Sequence, residues 1–273
     1  MTNNHVIDTS SQSSYSSYYE LEKASSITVS LYDDSEEYPA TVIGTDEQTD
    51  LAVIKIDKSD LVPAVLGDSS SVQVGEWCMA IGNPLGMESS VTTGSISALN
   101  REISDSDGKT YALIQTDTAI NEGNSGGALV NSNGEVIGIN TLKASGTGVE
   151  GLGFAIPINT TKSIYSDLVT YNKVIRPYIG IGGIDITDQT IKANPTAKLV
   201  KGAYVRTVAD FSPAQKAGIK PGDIIIAFNG EKVETVRQPN SLKEKCHVDD
   251  VVTLTVMRDG KEQSIELKLA EQP

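Results

Sequence analysis

The chain has 273 residues and a net charge of −14, from 22 Lys+Arg against 36 Asp+Glu. That charge argues against a nucleic-acid backbone as partner, because phosphate neutralisation needs a basic surface. A 38% hydrophobic and 21% charged composition can build a globular core, and no apolar run reaches the ~18–20 residues of a membrane-spanning helix.

Taken in chain order, the first half reads as short β-prone runs: Ile27–Leu31, Ala40–Ile43, Leu51–Ile56, Trp77–Ile81, Val91–Leu99, Ala112–Thr116 and Val136–Thr141. Clusters of Gly, Asn, Asp and Pro separate them, among them Asp107-Gly108 and Asn131-Ser132-Asn133-Gly134. Many short strands at this spacing predict a barrel or sandwich, and Asn-Gly predicts a hairpin because it tolerates positive φ. The Ser- and Tyr-rich stretch Thr9–Ser26 has no period and is expected to be a surface loop. Ile158–Val169 has helical spacing, with Asn159 or Thr160 as candidate cap.

Tyr171–Pro177 reads as a linker, and the charge changes there. Residues 1–172 carry 7 basic against 23 acidic residues, and residues 173–273 carry 15 against 13. This predicts two domains, 1–172 and 173–273. The second shows strands at Gly202–Val208, Ile224–Phe228 and Val251–Met257, with short helices at Pro213–Gly218 and around Asn240–Lys245.

The chain has two cysteines, Cys78 and Cys246, and two histidines, His5 and His247. These form neither a disulfide framework nor a spacing for metal ligands, so buried or half-buried thiols and no metal site are expected. Cys246-His247 as half of a metal site is the less favoured reading.

The most informative segment is Gly123-Asn124-Ser125-Gly126-Gly127. A serine hydroxyl attacks only when a base takes its proton and amides receive the developing oxyanion. Flanking glycines let successive N–H groups converge, which points to the Gly123 and Ser125 amides. His5 and His247 are the candidate bases. Asp50, just before an apolar strand, is the candidate orienter, giving the chain order His5, Asp50, Ser125. The same string fits the nucleophile elbow of α/β-hydrolases. That fold needs a helix after the serine, whereas a hairpin is expected here.

Together TNNHVI, TDLAVIKI, Ile81-Gly82-Asn83-Pro84-Leu85-Gly86, Val91–Ile96, QTDTAINEGNSGGALVN and Leu152–Ile158 resemble the HtrA/DegP-type trypsin-like serine proteases. The resemblance implies a mostly β, chymotrypsin-like double β-barrel followed by a PDZ domain. It implies His5 as general base, Asp50 as orienter, Ser125 as nucleophile and the Gly123, Asn124 and Ser125 amides as oxyanion hole. It also implies that Leu152–Ile158 and the loop Lys143–Gly151 help form the specificity pocket, that no cofactor is needed, and that unfolded proteins are the substrates. Arg176-Pro177-Tyr178-Ile179-Gly180-Ile181 looks like the carboxylate-binding turn of a bacterial PDZ domain. Tyr178, Ile179, Gly180 and Ile181 would bind C-terminal peptides, with Leu242 lining the apolar pocket. Relatives are often homotrimers of the bacterial cell envelope, anchored in the membrane in full-length form. Here Met1 precedes His5 by four residues, so the first barrel is expected to lack its opening strands. A catalytically impaired chain that captures peptides or acts like a chaperone is the alternative reading. Glu122 stands where relatives often carry Pro, with little effect expected.

Overall fold

The protein is described by a computed structural model over residues 1–8, 24–83, 90–104, 110–121, 123–143, 151–195, 197 and 199–273. It divides into two units, Met1–Val174 and Ile175–Pro273. Most of the loop 9–26, the Asp107-Gly108 turn, Pro84–Gly86, Glu122 and most of the loop 143–151 lie outside the described residues.

The first unit opens with a single helical turn, α1 (Asn4–Ile7), followed by β1 (Thr28–Ser30), β2 (Glu37–Asp46) and β3 (Leu51–Ile56). These strands form an antiparallel sheet in the order β1-β2-β3. Thr2 joins the sheet through an isolated bridge to Ala52. Next come β4 (Trp77–Gly82), β5 (Ser90–Ser104), β6 (Thr110–Thr116), β7 (Ala128–Asn131), β8 (Val136–Lys143) and β9 (Gly153–Pro157). They close a barrel in the order β4-β5-β6-β9-β8-β7. Closure follows from alternation: Cys78, Ala80, Ile96, Ile114, Leu129, Ile137 and Ala155 all turn into one buried cluster. The β7–β8 turn has Gly134 at φ 77°, and Asn131 Oδ1 accepts the Asn133 and Glu135 amides at 3.0 Å each. β2 and β5 run longer than the expected strands, because each gains pairing from a neighbour that the apolar pattern alone does not reveal.

The helix α2 (Ile158–Tyr171) closes this unit. Its Ile158, Ile164 and Leu168 pack with Leu51 and Val53 of β3 and with Phe154 and Ile156 of β9, so one core joins sheet and barrel. Truncating the fully buried Leu168 to Ala would cost about 2–5 kcal/mol. The expected caps Asn159 and Thr160 lie inside the helix. Pro157 occupies the N-cap position without a side-chain cap, and Ser69 Oγ accepts the Asn159 amide at 3.1 Å instead. Asn159 Nδ2 donates to Asp68 Oδ1 at 2.7 Å. Hydrogen bonds from Ser70 and Asn159 hold the Asp68 carboxyl down to about 2.

The second unit contains β10 (Pro177–Tyr178), β11 (Ile181–Ile186), α3 (Asp188–Ala193), β12 (Gly202–Val208), α4 (Pro213–Lys216), β13 (Ile224–Phe228), β14 (Glu231–Lys232), α5 (Arg237–Lys243), β15 (Val251–Arg258), β16 (Lys261–Lys268) and β17 (Ala270–Glu271). The main sheet has the order β11-β12-β13-β15-β16, which leaves β11 and β16 as its edges. β10 pairs with β17. Asp223, in the turn before β13, has a side chain 1% exposed and accepts Arg258 Nε at 2.6 Å and Nη2 at 2.7 Å. The same guanidinium donates to Gly218 O at 2.8 Å, so one bidentate pair ties the α4 turn to β15. The sequence pattern missed α3, which rests on the Thr187 cap rather than on an apolar face. It also missed β16, whose inward residues are only Ile265 and Leu267.

Candidate active site and peptide-binding turn

Asp50 sits just before β3 in a left-handed conformation, φ 56°. Its carbonyl accepts the Asn4 amide at 3.1 Å and Asn3 Nδ2 at 2.9 Å. Thr2 and Ala52 exchange backbone hydrogen bonds of 3.0 and 2.8 Å. The segment leading to His5 is thereby fastened to the start of β3. Asp50 Oδ1 accepts the His5 amide at 3.0 Å, and Oδ2 lies 2.7 Å from His5 Nδ1. With Nδ1 engaged by a carboxylate, Nε2 is the nitrogen left to exchange protons.

Ser125 lies between Gly123, φ 97°, and Gly126, φ 81°. A Cβ on Gly126 would lie 2.1 Å from Thr2 Oγ1 and 3.0 Å from the Asn3 amide nitrogen, so this loop is seated directly against the segment that carries His5. Ser125 Oγ donates to the Thr141 carbonyl at 3.1 Å. Thr141 Oγ1 in turn donates to Asp50 Oδ2 at 2.8 Å. Thr141 therefore touches both Asp50 and Ser125. Among the described residues no hydrogen bond joins Ser125 to His5. The sequence reading missed Thr141. Its only signal was a polar residue ending the run VIGIN, and its role comes from the bulge between the pairs Asn140↔Ala155 and Leu142↔Phe154.

Along the loop, amides alternate between engaged and free. The Asn124 amide donates to Asn121 O at 2.9 Å and the Gly126 amide to Asn140 O at 2.8 Å. Those of Gly123 and Ser125 find no acceptor among the described residues. Of the three amides expected to form the oxyanion hole, the Asn124 N–H is thus engaged in a tight turn onto Asn121. The Asn124 side chain is buried, with Nδ2 donating to Ala119 O at 3.1 Å. A Cβ on Gly82 would lie 2.5 Å from Asn124 Oδ1, which explains glycine there. Of the expected specificity strand, Phe154, Ala155 and Ile156 of β9 are buried in the core.

In the second unit, Tyr178 pairs with Ala270, Ile179 is buried, and Ile181 starts the edge strand β11. Gly180 has φ 86°, and a Cβ there would lie 2.2 Å from Ser212 Cβ. The Ile179 carbonyl accepts the Ala214 amide at 2.9 Å and the Gly180 carbonyl accepts the Ala209 amide at 2.8 Å. This fixes the turn with the Ile179 and Gly180 amides free of acceptors among the described residues. Leu242 is buried in the same cluster as Ile179, with Ile181 and Val236 packed against it. Burial holds the Lys243 ammonium below the usual lysine range; Glu244 opposes the shift, and the nearby Arg176 charge adds to it. Cys78 is buried and Cys246 half-buried, both as free thiols. His247 is exposed and 3.7 Å from Asp250, and no group of three or more His, Cys, Asp or Glu residues gathers among the described residues.

The trypsin-like peptidase domain family matches residues 1–139, and the PDZ domain family matches residues 177–269. A solved structure titled HtrA-type protease AlgW with decapeptide superposes with a TM-score of 0.85 at 34% identity, covering 100% of this chain and 79% of that one. This chain belongs to the HtrA-type trypsin-like serine proteases. The Serine protease Do-like HtrA of Bacillus subtilis (strain 168) is 41% identical over 98% of this chain and 60% of its own length. The periplasmic serine endoprotease DegP of Escherichia coli (strain K12) is 39% identical over 99% of this chain and 54% of its own. The chain thus spans somewhat more than half the length of these HtrA relatives. A serine endoprotease from Yersinia pestis superposes with a TM-score of 0.75 at 31% identity over 84% of its chain.

Proposed function

We propose that residues 1–172 form a serine endopeptidase domain and residues 173–273 a PDZ domain that reads C-terminal peptides. The observation that carries this reading is the junction at Thr141, which draws Asp50, and through it His5, together with Ser125. Ser125 Oγ attacks the scissile carbonyl carbon as His5 Nε2 takes its proton. Asp50 holds the imidazole and stabilises its cation. The Gly123 and Ser125 amides receive the oxyanion. Collapse of the tetrahedral intermediate passes the proton from His5 to the leaving amine. Water, deprotonated by His5, then releases the acyl group. To begin, the Ser125 hydroxyl must rotate from the Thr141 carbonyl toward His5.

Unfolded proteins are the proposed substrates, since they present extended backbone to the loop. The periplasmic naming of the Escherichia coli relative supports work outside the cytoplasm. Membrane anchoring of the full-length protein and assembly as a homotrimer belong to the same proposal. Cleavage of casein by the 273-residue chain, lost in Ser125→Ala, is the test. No cleavage beside intact peptide binding would favour the second reading, a peptide-capturing chain. The observation favouring that reading is that the Ser125 hydroxyl is hydrogen-bonded to the Thr141 carbonyl, with no hydrogen bond to His5 among the described residues.

A further inference from the structure

The second unit contains a contact that peptide reading alone does not require. Asp185, on the edge strand β11, accepts the backbone amide of Val236 on Oδ1 at 2.6 Å. Val236 immediately precedes α5. Two residues earlier on the same strand, Gly183 presents backbone to Val236: a Cβ there would lie 3.2 Å from Val236 Cγ2. Residues two apart on a strand share a face. Strand and helix are therefore joined twice, by an anionic hydrogen bond and by a methyl group against bare backbone. At the other end of β11, Ile179 of the turn lies in one buried cluster with Leu242 of α5, and Ile181 packs against it.

An added peptide strand pairs with a sheet edge residue by residue. Only Gly182, Gly183 and Ile184 lie between the turn and Asp185. We propose that Asp185 is a specificity-determining latch. By holding the Val236 amide it closes the groove beyond Gly183, so the unit reads only the last few residues of a C-terminal peptide. Upstream residues engage β11 only if the latch opens. This inference rests on the peptide-reading function proposed above.

Fluorescence anisotropy on the full chain carrying Ser125→Ala, which blocks cleavage, tests it. The probes are a tripeptide and an octapeptide with the same apolar C-terminus and uncharged upstream residues. The latched chain should bind both within about twofold. Asp185→Ala should leave the tripeptide unchanged and tighten the octapeptide about tenfold, the scale of one hydrogen bond to a charged group. Asp185→Asn keeps an oxygen acceptor for the Val236 amide and should behave like the parent. Equal length dependence in parent and Asp185→Ala overturns the latch and leaves the peptide reader standing. Tighter octapeptide binding by Asp185→Asn as well assigns the effect to charge and also overturns it. Weakened tripeptide binding by Asp185→Ala makes Asp185 a structural support only. No binding of either peptide by any form removes the peptide-reading function itself, and the latch with it.

Discussion

The Ser125 hydroxyl is held by the carbonyl of Thr141, 3.1 Å away, and the Thr141 hydroxyl is at the same time committed to Asp50 at 2.8 Å. One residue at a β-bulge thus sets the resting direction of the proposed nucleophile and supplies a hydrogen bond to the carboxylate proposed to orient the base. Both interactions favour a single arrangement of the site before any substrate arrives.

Thr141→Val keeps the shape and removes the donor to Asp50. The turnover number on casein should fall about 10–100-fold, as for other lost supporting hydrogen bonds. Thr141→Ser should restore most of it. A KM change at constant turnover would show that Thr141 serves binding rather than the orientation of His5.

Gly126→Ala forces a side chain into a left-handed backbone and against Thr2 Oγ1, 2.1 Å from the new Cβ. Strain and overpacking together should destabilise the first unit by about 2–4 kcal/mol. Labelling of Ser125 by a serine-reactive phosphonate should also fall, because the loop can no longer seat against the segment carrying His5. Differential scanning calorimetry and mass spectrometry read the two effects separately.

Asp223→Ala leaves the Arg258 guanidinium without its bidentate partner and exposes the Lys220 amide, which Asp223 Oδ2 accepts at 2.9 Å. Breaking such a pair by removing one buried partner costs about 3–5 kcal/mol. Urea unfolding followed by signals from the second unit should show it, with no change in casein cleavage per folded molecule.

Lys243 gives a pH signature. Its ammonium is held below the usual lysine range first by burial, with Glu244 opposing and Arg176 contributing. A bound peptide carboxylate favours the charged form, so binding should be accompanied by proton uptake as the pH nears the lowered value. Affinity for a C-terminal peptide should then decline as pH rises through that value. Lys243→Gln should flatten the decline, and isothermal titration in buffers of different ionisation enthalpy should count the proton. A C-terminally amidated peptide should show neither effect.

His5, Asp50 and Ser125 stand out as the proposed triad in the sequence because each lies in a local pattern: an imidazole after Asn-Asn, a carboxylate before an apolar strand, a serine among glycines. The alternation of apolar residues likewise foretold most strands of the barrel, since a period of two is a local property of the chain. The resemblance implied three oxyanion amides, yet the turn from Asn121 engages one of them. That engagement depends on a hydrogen bond three residues back, which composition does not reveal. The cap of α2 also eluded the sequence, because it comes from Ser69, far away in the chain.

The sequence by itself determined the residue types able to carry out acyl transfer, the order in which they occur and the β character of both units. These follow from side-chain chemistry and from local backbone preference. Only the tertiary structure decided that Thr141 joins Asp50 to Ser125, that the Gly123 and Ser125 amides find no acceptor among the described residues, and that Asp185 reaches Val236. Each of these is a hydrogen bond made or withheld at a fold-dependent distance, and a neutral threonine or an exposed aspartate has no local signature until the sheet brings its partner within 3 Å.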